Sequence, residues 1–383
     1  MIIFFSSYII AKACRIFDSA TNYLGRNMGD GVKGATLNAI GSSLPELLTT
    51  VFFLAFATHD NLGRDLATSF GGNTGSAIFN SIVIPVMVIG VVISIGVRGI
   101  KLTKKVILRD GLFLIFTELV LLVLLSSQEI TQMHGWILTS LYLVYLLFLF
   151  ASMTKKKSES QTDKTKSVFN NAKWYQKYQF NSENGITRRS WYILIIAVLL
   201  ISLASAGLVE SCKGIATQLK INPLFVALIL VAAASSIPDT IVSMLDARRG
   251  NHDDALSNVL GSNIFDITIS LGLPLALFLL FTGQTIDFTA AGPTIIDIRV
   301  MLVIITVITL GIFYFAKTLT KRHIVILVLL YSLFILYAIG AASYEPHGEN
   351  NLLARIAGSF IEMLRESGFS ELLERLAKKL TGH

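Results

Sequence analysis

Along the 383-residue chain, apolar positions gather into long unbroken runs, and the polar positions between them are mostly basic. Residues 136–153 and 191–209 contain no charged side chain. About 20 apolar residues in a row suffice for a helix to cross a bilayer core of ~30 Å. The runs are continuous rather than alternating, which excludes a transmembrane β-barrel. Ten helical spans are predicted near 1–18, 32–57, 66–97, 111–127, 136–153, 191–209, 222–247, 254–284, 300–316 and 324–342. The third is too long for one straight crossing, so a break or a tilt is expected there, with Gly71, Gly72, Gly75 and Pro85 as the available break points.

Composition agrees with the runs. The chain is 53% hydrophobic and 15% charged, where a soluble domain carries about a quarter charged residues. The reading is an all-α polytopic protein with the lipid bilayer as its main partner. The net charge of +7 does not call for nucleic acid, because the basic residues lie in loops beside spans and the membrane itself explains them. With the N-terminus outside, the inside loops hold 23 Lys and Arg and the outside loops 4. That places both termini outside and residues 154–190 in the cytoplasm. The N-terminus begins in an apolar segment without a basic lead, so no cleavable signal peptide is expected. Cys14 and Cys212 fit no metal or disulfide spacing and read as free thiols.

The chain divides into 1–153 (five spans), a basic linker at 154–190, 191–342 (five spans) and a tail at 343–383. The linker is poor in aliphatics and reads as mobile, with Lys155, Lys156 and Lys157 as a positive-inside anchor. In the tail, Leu353, Ile356, Phe360 and Leu364 share one face, as do Leu372, Leu373 and Leu376, which suggests an interfacial helix pair or a packing appendage.

Two hexads stand out inside the apolar runs: Gly41-Ser42-Ser43-Leu44-Pro45-Glu46 and Ala234-Ser235-Ser236-Ile237-Pro238-Asp239. They are 193 residues apart, and the same offset pairs His59-Asp60 with His252-Asp253. At an offset of 186, Gly75-Ser76-Ala77-Ile78-Phe79-Asn80 matches Gly261-Ser262-Asn263-Ile264-Phe265-Asp266. Five spans precede the linker and five follow it, so the two copies have opposite orientation. Inverted repeats with polar midplane residues on interrupted helices characterise secondary transporters.

An intramembrane carboxylate is expensive unless it faces a cavity and a partner. Glu46, Asp239, Asp266 and Asn80 are expected to converge from four helices. They offer only oxygen, as hard cations such as Na⁺ and Ca²⁺ require. Ser42, Ser43, Ser76, Ser235, Ser236 and Ser262 add hydroxyls. The carbonyls of Ala39 and Ala232 are assigned as further ligands, since Pro45 and Pro238 lack N–H groups. No His or Cys lies at metal spacing, which argues against zinc or copper, and no cofactor is called for. Glu118 has neither a repeat partner nor a hydroxyl neighbourhood. Asp110, beside Arg109, reads as an interfacial cap, and His59 and His252 as polar loop residues. Paired acids could also mean an intramembrane aspartyl protease sharing one proton between two aspartates. Here the pair is Glu and Asp, ringed by hydroxyls on an inverted repeat, which hydrolysis does not need, so the protein is not read as an enzyme. A channel is the third class, which a saturable, countertransport-dependent flux would exclude.

These four motifs resemble the two α-repeats of the calcium/cation antiporter superfamily, over essentially residues 10–342. Calcium/proton exchangers of that superfamily carry Gly-Asn before the glutamate where this chain has Ser-Leu-Pro. Asp239 with Asp266 looks like the potassium-dependent sodium/calcium exchanger branch, although simple microbial sodium/calcium exchangers also have an aspartate at the second position. Two serines follow Gly41 and Ala234 where relatives often have Thr-Ser, and the stretch before Gly75 is longer. The resemblance implies that Ca²⁺, with K⁺, exchanges for Na⁺ by alternating access. Glu46 and Asp239 would be shared by Ca²⁺ and Na⁺, Asn80 and Asp266 would flank them, and the serines would line the Na⁺ positions. The first and sixth spans would slide over the repeat core, one copy of the chain sufficing. A potassium-independent sodium/calcium exchanger or a calcium/proton exchanger is the alternative.

Overall fold

The structure, a computed structural model, describes residues 32–57, 62–125, 129–151, 186–287 and 293–343, with Met28, Ser127 and nine residues between 5 and 17. The nine are all helical. His59-Asp60, Cys14, most of the basic linker and the tail beyond residue 343 lie outside the described residues.

The first hexad interrupts its helix as a proline should. Helix α1 (Gly34–Ser42) opens with a π-helical turn at Gly34–Asn38 and continues through Ala39–Ser42. Ser43 then leaves helical geometry at φ −89°, ψ 10°, and α2 (Leu44–Ala55) restarts with Pro45 in its first turn. The two segments meet at 41°. Pro45 has no amide proton for the carbonyl four residues back, and in a first turn that loss is harmless.

Helix α7 (Pro223–Arg248) repeats this boundary by boundary. Its π-turn is Ala227–Val231, its short α-segment Ala232–Ser235, its break Ser236 at φ −77°, ψ 3°, and its restart Ile237–Arg248. Every boundary is displaced by the 193 residues that separate the hexads, so the repeat is present in the backbone.

The third predicted span is α3 (Leu62–Ser94), one uninterrupted helix of 33 residues with Pro85 inside it. Of the break or tilt expected there, the break is absent. A helix of that length rises about 50 Å, so it must tilt or project beyond the hydrocarbon layer. The interruption falls in the other copy, where α8 (His252–Thr282) contains a π-turn at Asp266–Ser270. That turn ends at the residue whose carbonyl Pro274, four residues on, cannot serve.

The remaining helices are α4 (Lys104–Leu124), α5 (Gln132–Ala151), α6 (Ile186–Leu219), α9 (Pro293–Phe315) and α10 (Lys321–Ser343). Among the described residues, seven helices are long and apolar enough to cross a membrane, eight if α1 and α2 form one span. The expected span near 111–127 is α4, whose apolar stretch also holds Arg109, Asp110 and Glu118.

On α4, Leu112, Phe116, Leu119 and Val123 are exposed along one stripe, and so are Ile195, Leu199 and Leu203 on α6. Spacings of three and four make each stripe one helix face, and a lipid-facing surface accounts for leaving it bare. Inside, helices meet where glycine lets backbones touch. A Cβ on Gly135 of α5 would lie 2.6 Å from the Gly272 carbonyl of α8, and one on Gly75 of α3 would lie 2.0 Å from the Leu228 carbonyl of α7.

Two short pairings tie loops from different halves. Strand β1 (Glu129–Ile130) pairs antiparallel with β2 (Ile286–Asp287) on one face. On the other, Ile100 bridges to Leu319.

Candidate ion-binding site

The interrupted helices α1–α2 and α7 bring Glu46 and Asp239 to the start of a helical segment, one residue after each proline. Orphan amides and the positive end of the helix dipole favour a carboxylate there. Helices α3 and α8 cross the breaks and supply Ser76 with Asn80 and Ser262 with Asp266. All twelve residues expected at the site are buried.

Three donors serve Asp239. Ser42 Oγ and Ser262 Oγ both donate to its Oδ1, the latter at 2.5 Å, and Asn80 Nδ2 donates to Oδ2 at 3.4 Å. Glu46 receives Ser76 Oγ on Oε1 at 3.0 Å. The repeat is visible in these bonds, since Ser76 corresponds to Ser262 and Ser42 to Ser235, which lies beside Glu46. Ser43 in turn lies beside Asp266.

The same Ser76 hydroxyl stands 3.1 Å from Asp266 Oδ2 and 2.8 Å from Ser236 Oγ. A hydroxyl has one proton, so it cannot donate to Glu46 and Asp266 together. Glu46 Oε2, Asp266 Oδ1 and Asn80 Oδ1 accept no hydrogen bond at all among the described residues. Asp239 is therefore supplied with donors on both oxygens, while Glu46 and Asp266 share the Ser76 proton and each keep one oxygen without a donor. Three buried carboxylates repel one another, and the oxygens that accept no hydrogen bond suit a hard cation or a proton.

The Ala39 and Ala232 carbonyls already accept from Ser43 N at 3.0 Å and Ser236 N at 3.1 Å. The Ala39 carbonyl keeps a second lone pair for an ion, while that of Ala232 also accepts from Ser235 Oγ at 3.3 Å. The carbonyls that the prolines leave without a partner are those four residues earlier, at Gly41 and Ala234.

Several residues around the site escaped the sequence reading. Thr50 and Ser243 stand four residues after Glu46 and Asp239 and are again 193 apart. Thr50 Oγ1 donates to the Glu46 carbonyl at 3.1 Å and accepts from Asn73 Nδ2 at 3.0 Å. Ser243 Oγ accepts from Asn258 Nδ2 at 2.9 Å. Their common offset was the available signal. Glu118 does have a hydroxyl neighbour, Thr306 Oγ1 at 2.7 Å. Asp110 is no interfacial cap. It is fully buried inside α4, held by Arg109 through both carboxylate oxygens, by Ser257 at 2.9 Å and by Tyr145 at 3.2 Å. Its partners on α5 and α8 make it a structural tie. His252 begins α8 half-buried, and Cys212 is a buried free thiol.

The profile of the family described as sodium/calcium exchanger protein matches residues 1–151 and 189–340. The chain belongs to the sodium/calcium exchanger family. The Escherichia coli inner membrane protein YrbG is 26% identical over 241 residues, 63% of this chain and 67% of that protein. The putative antiporter CaxA of Alkalimonas amylolytica is 29% identical over 267 residues, 70% of this chain and 75% of its own length. Sodium/potassium/calcium exchanger 1 of Bos taurus reaches 40% over 87 residues, 23% of this chain and 7% of the bovine one.

Among solved structures, the H⁺/Ca²⁺ exchanger CAX superposes with a TM-score of 0.68 at 13% identity, covering 100% of this chain and 91% of that one. The sodium-calcium exchanger NCX_Mj, soaked with 10 mM Na⁺ and no Ca²⁺, gives 0.58 at 22% identity over 87% and 96%. The fold is that of polytopic exchangers with two inverted repeats, and the family is one of transporters within the calcium/cation antiporter superfamily.

Proposed function

We propose that this family member exchanges Ca²⁺, together with K⁺, for Na⁺ by alternating access, using Glu46, Asp239, Asp266 and Asn80 as the principal ligands. The observation that carries the reading is the donor deficit around Ser76, whose single proton lies between Glu46 and Asp266. Ca²⁺ balances two of the three carboxylates in formal charge. Asp266, whose counterpart Asn80 is neutral, leaves one negative charge over, which a monovalent ion travelling beside Ca²⁺ neutralises. K⁺ is the abundant cytoplasmic choice. An empty site repels itself, so the gates move only when cations fill it, and that coupling makes an exchanger rather than a channel. The serines and the Ala39 and Ala232 carbonyls supply neutral oxygens from which ions can leave. In this reading both termini are outside, residues 154–190 are cytoplasmic and one copy of the chain suffices.

The same deficit also supports a second reading, in which a proton fills the place of K⁺ and Asp266 is neutral while Ca²⁺ is bound. Na⁺-gradient-driven Ca²⁺ flux in proteoliposomes, with K⁺ replaced by choline, separates the two for wild type and Asp266→Asn. The expected result is a K⁺ requirement in the wild type that Asp266→Asn loses while keeping some exchange. Wild-type exchange equally fast without K⁺ rejects K⁺ co-transport, and a response to pH alone then favours the proton.

A further inference from the structure

Counting by 193 also pairs residues away from the ion site: Lys33 with Val226, Asn38 with Val231 and Phe53 with Asp246. These positions meet across the repeats, once at each end of the molecule. At one end, Lys33 Nζ lies 2.7 Å from Asp246 Oδ1 and 3.7 Å from Asp254 Oδ2, Asn38 Nδ2 donates to Asp246 Oδ2 at 2.7 Å, and Arg249 Nη1 stands 3.6 Å away. At the other end, Phe53, Val226 and Val231 lie in one buried apolar cluster. The joint is the same in position and opposite in chemistry. Both versions flank the π-turn of an interrupted helix, and Lys33 and Val226 cap those two turns.

We infer that Lys33, Asn38 and Asp246 form an ionic latch on one of the two access paths, with an apolar contact in its place on the other. The latch end also carries the Ile100–Leu319 bridge and the bond from Thr103 N to Asp253 at 3.0 Å, which makes it the cytoplasmic end in the proposed orientation. Asp246 follows Asp239 by seven residues on one helix, about 10 Å along the axis, so an ion leaving the site at this end passes the latch. Parting α1 from α7 there separates a buried carboxylate from its ammonium, which is strongly unfavourable until water and the cations of the surrounding salt arrive. Monovalent cations on that side take the ammonium's place on Asp246 and lower the barrier. Parting Phe53 from Val226 at the far end breaks no ion pair between the repeats, the nearby Lys213 ammonium lying over the Phe53 ring at 5.4 Å and pairing with Asp65 of the same half as Phe53. Lys33, Asn38 and Asp246 are thus positioning residues that set how often each face opens.

The inference rests on the alternating-access reading, and wild-type Ca²⁺ flux tests that reading before any variant is made. In oriented proteoliposomes the apparent KM for Ca²⁺ is then measured at each face. Lys33→Met and Asp246→Asn should favour the state open at the latch face, lowering KM there by several-fold and raising it at the opposite face, because a population shift moves the two in opposite directions. Lys33→Arg should keep wild-type values at both faces. A merely structural role would lower the amount of working protein and leave both KM values where they are, and unchanged or parallel shifts overturn the latch.

The double variant Lys33→Val/Asp246→Phe removes both members of the buried ion pair and gives these two positions the side chains of their counterparts, so it remains available where a single variant does not fold. Choline chloride added at the latch face alone should speed wild-type exchange and have no effect on the double variant. An equal response in both, or none in the wild type, also overturns the latch.

Discussion

Ser76 offers one proton to three oxygens, while Asp239 takes donors from Ser42, Ser262 and Asn80. The two carboxylates matched by the repeat therefore sit in unequal surroundings, although both are needed to balance a divalent ion. Glu46→Gln and Asp239→Asn should each cut Ca²⁺ uptake into proteoliposomes at least a hundredfold with folding intact, since unbalancing a buried charge costs about 3–5 kcal/mol. Near-normal uptake by either purified variant would remove that residue from the site. These carboxylates were legible in the sequence because a charge inside an apolar run has few explanations other than function. Thr50 and Ser243 were not, because most hydroxyls on these helices bond their own backbone, as Thr139, Ser202 and Thr309 do, and the sequence does not separate the two uses. Lys33 resembles any basic residue near a span end, and its partner Asp246 lies 213 residues away. Asp110 was misread for the same reason, its contacts to Ser257 and Tyr145 being 147 and 35 residues distant.

Among the helices, the breaks at Ser43 and Ser236 were legible from the prolines that follow them, whereas the π-turns were not, since no residue type marks them. Of the break or tilt expected in α3, the absence of the break was not legible for a related reason. Apolar length and one proline do not say whether a helix kinks or tilts, and α3 stays whole with Pro85 inside while α8 is interrupted at Asp266. What holds these helices at the required distance is glycine. At Gly75 an added Cβ would meet the Leu228 carbonyl at 2.0 Å, and a backbone atom cannot swing aside. Helix α3 would have to move off α7, drawing Ser76 away from Ser236, now 2.8 Å from it. Gly75→Ala should lower apparent Ca²⁺ affinity about tenfold or more, a figure in keeping with the 1–3 kcal/mol typical of overpacking. Gly90→Ala on the same helix, where nothing lies within 4 Å of the new carbon, should bind and transport as the wild type does. Equal affinity in the two variants would show that α3 and α7 need not meet so closely.

For the whole molecule, the repeat was legible because two motif pairs kept their spacing, and the uneven distribution of Lys and Arg suggested which face is which. Ile100 pairs with Leu319 on one face and β1 with β2 on the other, and the proposed orientation makes the first of these cytoplasmic. A cysteine introduced at Ser158 should react with an impermeant maleimide only from the cytoplasm, and one introduced at Ser127 only from outside. Labelling on the reverse sides would invert the orientation. Less visible in the sequence was how deeply the halves penetrate one another, because contacts across the repeats leave no local pattern. Asn263 donates to the Ala77 carbonyl at 3.0 Å and to Ser81 Oγ at 2.7 Å, and Gly135 of one half seats against Gly272 of the other. Halves joined through so many buried contacts should not depend on the covalent link between them. Encoded as two separate polypeptides, cut between residues 154 and 185 and synthesised in the same cell, they should find each other in the bilayer and restore Ca²⁺ exchange. Either fragment made alone should be degraded, because its glycine seams and polar side chains would face lipid with nothing to meet them.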